Sequence, residues 1–170
     1  MSKIGDLLRK HLNFFVPYST ARDDFKGDRG IFLDANENAL GSVISENWNR
    51  YPDPRQSHLK QVMGKIKGIA PECIFMGNGS DEPIDLLIRA FCEPGIDDVM
   101  IFPPTYGMYK VAANINNVSV NEVLLTKDFQ LDMTQIKSAL NDHVKIIFIC
   151  SPNNPTGNLI QVQDIWDLAT

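Results

Sequence analysis

A glycine-rich turn lies at residues 77–82, where Gly-Asn-Gly-Ser-Asp-Glu precedes a helical pattern. Glycine lets a ligand approach the backbone closely, and the first amides of a helix have no partner within it. The amides of Gly79, Ser80 and Asp81 can therefore hold a phosphate group, helped by the helix dipole. The same residues also suit a capped helix after a tight turn, with Ser80 as the N-cap and Glu82 in the first turn. The residues alone leave both interpretations open.

An aromatic ring and an amide follow two other strand-like segments. Tyr106 comes after Pro103 and Pro104, which end a strand, and it begins the next helical segment. Its ring can stack on a flat heterocycle, although a tyrosine at a helix start more often only packs there. Asn154 lies in a loop at residues 150–157, in which two prolines restrict the backbone and permit a cis X–Pro bond. The Asn154 side chain offers both a donor and an acceptor.

These three loops need strands that bring them together. Short apolar segments typical of strands alternate with amphipathic helical patterns at residues 59–66, 84–91 and 133–140. The strand segments are Ile31–Leu33, Cys73–Met76, Val99–Phe102, part of Val118–Leu125, and Ile146–Cys150. This alternation predicts an α/β fold with three layers, in which helices cover both faces of a mostly parallel mixed sheet. Because parallel strands share one carboxyl edge, the three loops should converge there on a site.

The first thirty residues differ from the rest. Lys3–Leu12 can form a helix, and Asp23–Gly30 is a polar linker. We therefore predict an N-terminal arm at residues 1–30, followed by an incomplete sheet domain at residues 31–170. The segment 161–170 starts a helix that stops abruptly, so we expect the sequence to be part of a longer one.

Composition excludes several classes of function. The 170 residues include 16 Lys and Arg against 21 Asp and Glu, for a formal net charge of −5, and 44% are hydrophobic. Such a chain can close a core and is not intrinsically disordered. It lacks the basic surface that nucleic acids or anionic lipids require. The longest uncharged run, Ile146–Gln163, is interrupted by proline and glycine, so we expect no membrane span.

Metal chemistry has little support in the sequence. Cys73, Cys92 and Cys150 are widely spaced and form no CxxC pair, and the three histidines form no paired-ligand pattern. Unpaired cysteines fit a reducing compartment. We therefore expect a cytoplasmic protein without a metal site.

Five short segments carry a family signature in their amino-acid sequences and in their order along the chain. They are Leu33-Asp34-Ala35-Asn36-Glu37-Asn38, Arg50-Tyr51-Pro52-Asp53-Pro54, Gly77–Glu82, Pro103–Tyr109 and Ser151–Gly157. The Asn-Asn-Pro-Thr-Gly element is general to the class I/II pyridoxal-phosphate-dependent aminotransferases of fold type I. The other segments narrow the resemblance to the N-terminal half of the histidinol-phosphate aminotransferases and their close relatives.

The resemblance implies pyridoxal 5′-phosphate as the cofactor, whose chemistry the protein anchors and orients. Gly79, Ser80 and Asp81 would contact its phosphate. Tyr106 would stack on its pyridine ring, and Asn154 would hydrogen-bond to its 3′ oxygen.

The resemblance also implies a homodimer and a substrate site. Tyr51 would reach the cofactor phosphate of the partner subunit, and Tyr18 and Asn36 would lie near the substrate. Without the resemblance, Tyr51 would be a residue of a proline-flanked surface turn, and Tyr18 and Asn36 would be polar residues of a linker and a strand end. The implied reaction transfers an amino group between L-histidinol phosphate and 2-oxoglutarate, which becomes glutamate, in histidine biosynthesis.

The family's Schiff-base lysine has no counterpart in this sequence, so the resemblance assigns no catalytic residue here. Lys110 and Lys145 suit a helix surface and a strand start. We therefore expect these 170 residues alone not to transaminate. One alternative is a non-catalytic fragment or binding remnant. Another is a different class I/II enzyme, such as an aromatic-amino-acid aminotransferase or a relative of the threonine-phosphate decarboxylases.

Overall fold

A computed structural model describes residues 4–20, 25 and 30–169. The chain clusters into two units, Met1–Phe15 with Gly77–Thr170 and Val16–Met76. The predicted boundary between an arm at residues 1–30 and a sheet domain at residues 31–170 stays a prediction.

The first unit contains a parallel sheet of three strands. Strand β1 is Asp98–Ile101, β2 is Ser119–Glu122 and β3 is Val144–Ile147, in the order β2-β1-β3. Val99 pairs with Val120 on one side and with Ile146 on the other, next to an irregularity between Asp98 and Val99. The central strand is apolar at Val99–Ile101 because helices cover both of its faces.

Five α-helices are described in the two units. They are α1 Ser57–Lys67, α2 Asp81–Phe91, α3 Met108–Ile115, α4 Met133–Ala139 and α5 Val162–Ala169. The three predicted amphipathic patterns are confirmed as α1, α2 and α4. The segment Lys3–Leu12 instead contains 3-10 turns at Ile4–Leu7 and from Lys10, and Pro71–Cys73 forms another. Among the described residues, no helix has both the length and the apolar character needed to cross a membrane.

The predicted three layers are confirmed in the first unit. Val99 and Ile101 pack on one face with Ile84 and Ile88 of α2 and with Ala112 of α3. Met100 and Phe102 pack on the other face with side chains of α4 and α5, namely Ile136, Ile165 and Leu168. The connections from β1 to β2 and from β2 to β3 run in opposite directions along the sheet, so right-handed crossovers place α3 and α4 on opposite faces.

Arg9 ties the N-terminal residues to the end of α2. Its amide donates to the carbonyl of Ala90 at 2.9 Å, and its guanidinium contacts both carboxylate oxygens of Glu93 at 3.2 Å. A cation is favourable at this end of the helix, where the carbonyls lack partners.

Two predicted strands are wrong. Ile31–Leu33 forms no strand, and Ile31 and Leu33 are 91% and 89% exposed. Cys73 ends a 3-10 turn, and residues 74–76 are extended without strand pairing in the described part of the chain. Apolar character predicts a strand only where a neighbouring strand takes up its backbone hydrogen bonds, and these two segments have no such neighbour among the described residues.

Candidate functional site

The carboxyl ends of β1 and β3 lie side by side, because the two strands are parallel neighbours. The loop with Tyr106 follows β1, and the loop at residues 150–157 follows β3. The amino end of α2, with the turn at residues 77–82, reaches the same place through its contact with Tyr106. The structure therefore brings the three predicted loops together at one edge of the sheet.

Tyr106 joins two of these loops. Its hydroxyl donates to Asp81 Oδ1 at 2.8 Å, and its ring lies edge-on to that of Tyr109 at 5.6 Å between centroids. Tyr109 in turn stacks on Phe148 at 4.7 Å. The hydrogen bond to the Asp81 carboxylate raises the pKa of Tyr106, so the phenol stays protonated and remains a donor. The Tyr106 ring is thus held by the hydrogen bond of its hydroxyl and by its contact with the buried stack of Tyr109 and Phe148.

The turn at residues 77–82 leaves amides available to a ligand. Gly79 has φ +72°, and a Cβ there would meet no atom within 4 Å. Within the described part of the chain, the amides of Ser80 and Asp81 donate no hydrogen bond. The Glu82 carboxylate turns back to accept from the amide of Asn78 at 2.6 Å, so both acidic side chains of the turn have local partners.

The expected N-cap bond from Ser80 is absent. Ser80 has helical dihedral angles and makes no side-chain cap hydrogen bond. The cap side chain normally accepts from the second or third amide of the helix. Here the third residue is Pro83, which has no N–H to donate, and the helical conformation of Ser80 does not turn its hydroxyl to the second. The interpretation as a side-chain-capped helix therefore loses support.

Asn154 is exposed, and its side chain makes no hydrogen bond within the described residues. The preceding residue, Asn153, is buried and binds the loop after β1 through Thr105 and Pro104. The Ser151–Pro152 and Asn154–Pro155 bonds are both cis. Asn153 was not among the predicted site residues, although a second amide inside a proline-bounded loop is a signal that one of the pair serves the loop itself.

The second unit contains three other predicted site residues. Tyr51 and Tyr18 are 71% and 89% exposed, and Asn36 is exposed with φ +50°. The Glu37 carboxylate accepts from the amide of Tyr51 and pairs with Arg50, both at 2.7 Å. Glu37, which was not among the predicted site residues, thus links the segment that contains Asn36 to the segment that contains Tyr51. The roles of Tyr18, Asn36 and Tyr51 stay predictions.

Lys110 and Lys145 lie on a helix surface and in a strand, as the sequence predicts. Lys110 is on the exposed side of α3, and its Nζ pairs with Glu122 at 2.7 Å. Lys145 is exposed in β3.

Comparison with known proteins identifies one family and several relatives. The family described as aminotransferase class I and II matches residues 24–170. The chain is 57% identical over 157 residues to the histidinol-phosphate aminotransferase of Cytophaga hutchinsonii, covering 92% of the chain and 45% of that protein. It is 48% identical to the corresponding protein of Parabacteroides distasonis, covering 99% of the chain and 48% of that protein.

A solved structure shows the same fold. The histidinol-phosphate aminotransferase from Clostridium acetobutylicum superposes with a TM-score of 0.59 at 28% identity, covering 70% of this chain and 34% of that one. The chain spans about half the length of the curated relatives that it matches.

Proposed function

Because this chain belongs to the class I and II aminotransferases, we propose that it forms the amino-terminal part of a pyridoxal 5′-phosphate site. The observation that carries the proposal is the hydrogen bond between Tyr106 and Asp81. It places a flat ring beside the turn in which the amides of Ser80 and Asp81 donate no hydrogen bond within the described residues. An anion and an attached heterocycle can therefore be bound at one place.

The residues at this edge fit the cofactor. The amides of Ser80 and Asp81 would hold its phosphate, since helix-start amides favour an anion. The Gly79 amide donates to the carbonyl of Gly77 at 3.1 Å and would have to exchange that partner for the phosphate. The Tyr106 ring would stack on its pyridine, and the exposed amide of Asn154 would donate to its 3′ oxygen. When bound, pyridoxal phosphate supplies an electron sink for carbanion chemistry, and the protein supplies anchoring and orientation.

The whole protein would transfer an amino group between L-histidinol phosphate and 2-oxoglutarate. Relatives with that printed name are 57% and 48% identical to this chain, which supports this substrate above other amino donors. Tyr18 and Asn36 would lie near the substrate. Tyr51 would reach the cofactor phosphate of a second subunit in a cytoplasmic homodimer, and its exposed side chain is compatible with that role.

Covalent attachment of the cofactor would require a lysine outside these 170 residues. Lys110 is already paired with Glu122, and the resemblance assigns no role in cofactor attachment to any other lysine of the chain. Borohydride treatment of the chain with pyridoxal phosphate tests this point. We expect no single lysine to carry a reduced adduct, and an adduct at one defined lysine would contradict this part of the proposal.

Titration of the chain with pyridoxal phosphate tests the site itself. We expect saturable binding that Asn154→Ala weakens about tenfold, which corresponds to about 1.4 kcal/mol. The control is Asn114→Ala, because Asn114 is exposed on α3 and its side chain makes no hydrogen bond in the described structure. Equal affinities for the chain and both variants, or no saturable binding, would contradict the proposal.

The choice of substrate is tested on a protein that contains the family's Schiff-base lysine. We expect a higher kcat/KM with histidinol phosphate than with phenylalanine as amino donor, and 2-oxoglutarate as acceptor. A preference for phenylalanine would instead support an aromatic-amino-acid aminotransferase.

A further inference from the structure

Asn153 is only 4% exposed, and its side chain makes three hydrogen bonds. Its Oδ1 accepts from the hydroxyl of Thr105 at 3.0 Å. Its Nδ2 donates to the carbonyl of Pro104 at 2.9 Å and to the hydroxyl of Thr156 at 2.6 Å. Every polar atom of this buried amide therefore has a partner, as burial requires.

The backbone of Asn153 closes its own loop. Its amide donates to the carbonyl of Asn158 at 2.8 Å, and its carbonyl accepts from the amide of Gly157 at 2.7 Å. The Thr156 hydroxyl that accepts from Asn153 also donates to the Asn158 side chain. The loop after β3 is thus a rigid unit built around one side chain.

Asn153 joins this unit to the loop after β1. The two bonded residues, Pro104 and Thr105, immediately precede Tyr106, and Asn153 immediately precedes Asn154. The bonds span 48 and 49 residues of sequence, so no local turn would otherwise hold the two loops together. Beyond the pairing of β1 and β3, Asn153 therefore helps to set the distance between the Tyr106 ring and the Asn154 amide.

We propose that Asn153 is a positioning residue that holds the Tyr106 ring and the Asn154 amide at the spacing that a flat, phosphorylated heterocycle requires. This inference rests on the proposed function, because it assumes that Tyr106 and Asn154 contact the same ligand. The hydrogen bonds of Asn153 go to the loops after β1 and β3, and none goes to the described residues of the turn at 77–82. Its effect should therefore fall more on binding of the ligand's ring than on binding of its phosphate.

Because ring binding and phosphate binding should respond differently, they can be compared in a test whose expected result general destabilisation of the fold would not produce. The affinities of the chain for pyridoxal phosphate and for inorganic phosphate are measured with Asn153→Ala and with Thr105→Val. Thr105→Val removes only one of the three bonds, so it is informative even where Asn153→Ala does not fold. We expect each variant to lower the ratio of the affinity for pyridoxal phosphate to the affinity for inorganic phosphate. For Asn153→Ala this ratio should fall about tenfold.

Asn114→Ala serves as the control, since it removes an amide of the same size from an exposed helix position. We expect it to leave the ratio unchanged. An unchanged ratio in both Asn153→Ala and Thr105→Val would overturn the inference while the proposed function stands. Equal losses of both affinities would show a purely structural role and would overturn it as well.

A second readout does not depend on the cofactor. The ¹³Cζ resonance of Tyr106 reports its hydrogen bond to Asp81, and the exposed Tyr18 supplies the reference for a tyrosine in water. We expect Asn153→Ala and Thr105→Val to move the Tyr106 resonance towards that of Tyr18. If the unmodified chain binds no pyridoxal phosphate, the proposed function fails, and an unmoved Tyr106 resonance then overturns the role of Asn153 as well.

Discussion

The Tyr106 hydroxyl donates to the Asp81 carboxylate at 2.8 Å and so joins the loop after the central strand to the first turn of α2. The contact gives the acidic side chain a local partner beside the amides that would bind an anion. The Tyr106 ring meets the Tyr109 ring in a T-shaped contact, with 86° between the ring planes. The carboxylate beside the proposed phosphate site is therefore already hydrogen-bonded.

Replacing Tyr106 separates the roles of its ring and its hydroxyl. Tyr106→Phe keeps the ring and removes the donor, whereas Tyr106→Ala removes both. We expect Tyr106→Ala to weaken pyridoxal phosphate binding about three- to tenfold more than Tyr106→Phe, because stacking resides in the ring. Titration of both variants checks this, and equal affinities would show that the ring does not contact the ligand.

Much of the helix and strand structure follows from local sequence. The helices α1, α2 and α4 follow from apolar residues at three- and four-residue spacing, and β1 follows from a continuous apolar run. Once parallel strands are inferred, their shared carboxyl edge predicts that the loops with Tyr106 and Asn154 meet. Periodicity and strand direction therefore predict where the candidate site lies.

The contacts that hold the site were not predictable in this way. Asn153 binds residues 48 and 49 positions away, and Glu37 binds the amide of a residue 14 positions away. Such pairs depend on the folded chain and leave no periodic pattern. The wrong strand at Ile31–Leu33 has the same origin, because an apolar segment becomes a strand only beside another.

Glu37 should control the order of the segment that presents Tyr51. Its side chain is 2% exposed, and it binds both Arg50 and the amide of Tyr51. We expect Glu37→Gln to speed hydrogen exchange of the Tyr51 amide about tenfold, because a charge-assisted bond becomes a weaker neutral one. The matched control is Glu46→Gln, an exposed carboxylate in the same segment, and it should leave that exchange rate unchanged.

Cys92 should make stability fall in alkaline solution. Its thiol is 1% exposed, and burial, together with the charge of Asp97, raises its pKa from 9.0 to about 11. Because the native state favours the neutral thiol, this contribution to the free energy of unfolding is complete below pH 9.0 and is lost as the pH rises to about 11. The loss should be on the order of 2 kcal/mol, since one pKa unit is worth about 1.4 kcal/mol.

Urea unfolding below pH 9.0 and near pH 11 measures this loss in the chain and in Cys92→Ala. We expect Cys92→Ala to be less stable at the lower pH but to lose less between the two. Cys73→Ala is the control, because Cys73 is exposed, and it should keep the full alkaline loss. The same alkaline loss in Cys92→Ala would assign the effect to other groups.

Asp132 should stabilise α4 through its charge and its position before the first turn. Its Oδ1 accepts from the amide of Gln135 at 3.0 Å, and its Oδ2 accepts from the Gln135 side chain at 2.8 Å. The Gln135 amide lowers the pKa of this carboxyl below its usual 3.8. Its contribution is therefore present above pH 3.8 and is lost as the pH falls below that value.

We expect Asp132→Ala to lower the urea midpoint at neutral pH and Asp132→Asn to retain most of the stability, because an amide oxygen also accepts at an N-cap. The difference between Asp132→Ala and the unchanged chain should shrink as the pH falls below 3.8. Asp142→Ala is the control, since Asp142 is exposed in a loop and its side chain makes no hydrogen bond in the described structure. A midpoint for Asp132→Ala equal to that of Asp142→Ala at neutral pH would mean that α4 does not depend on this cap.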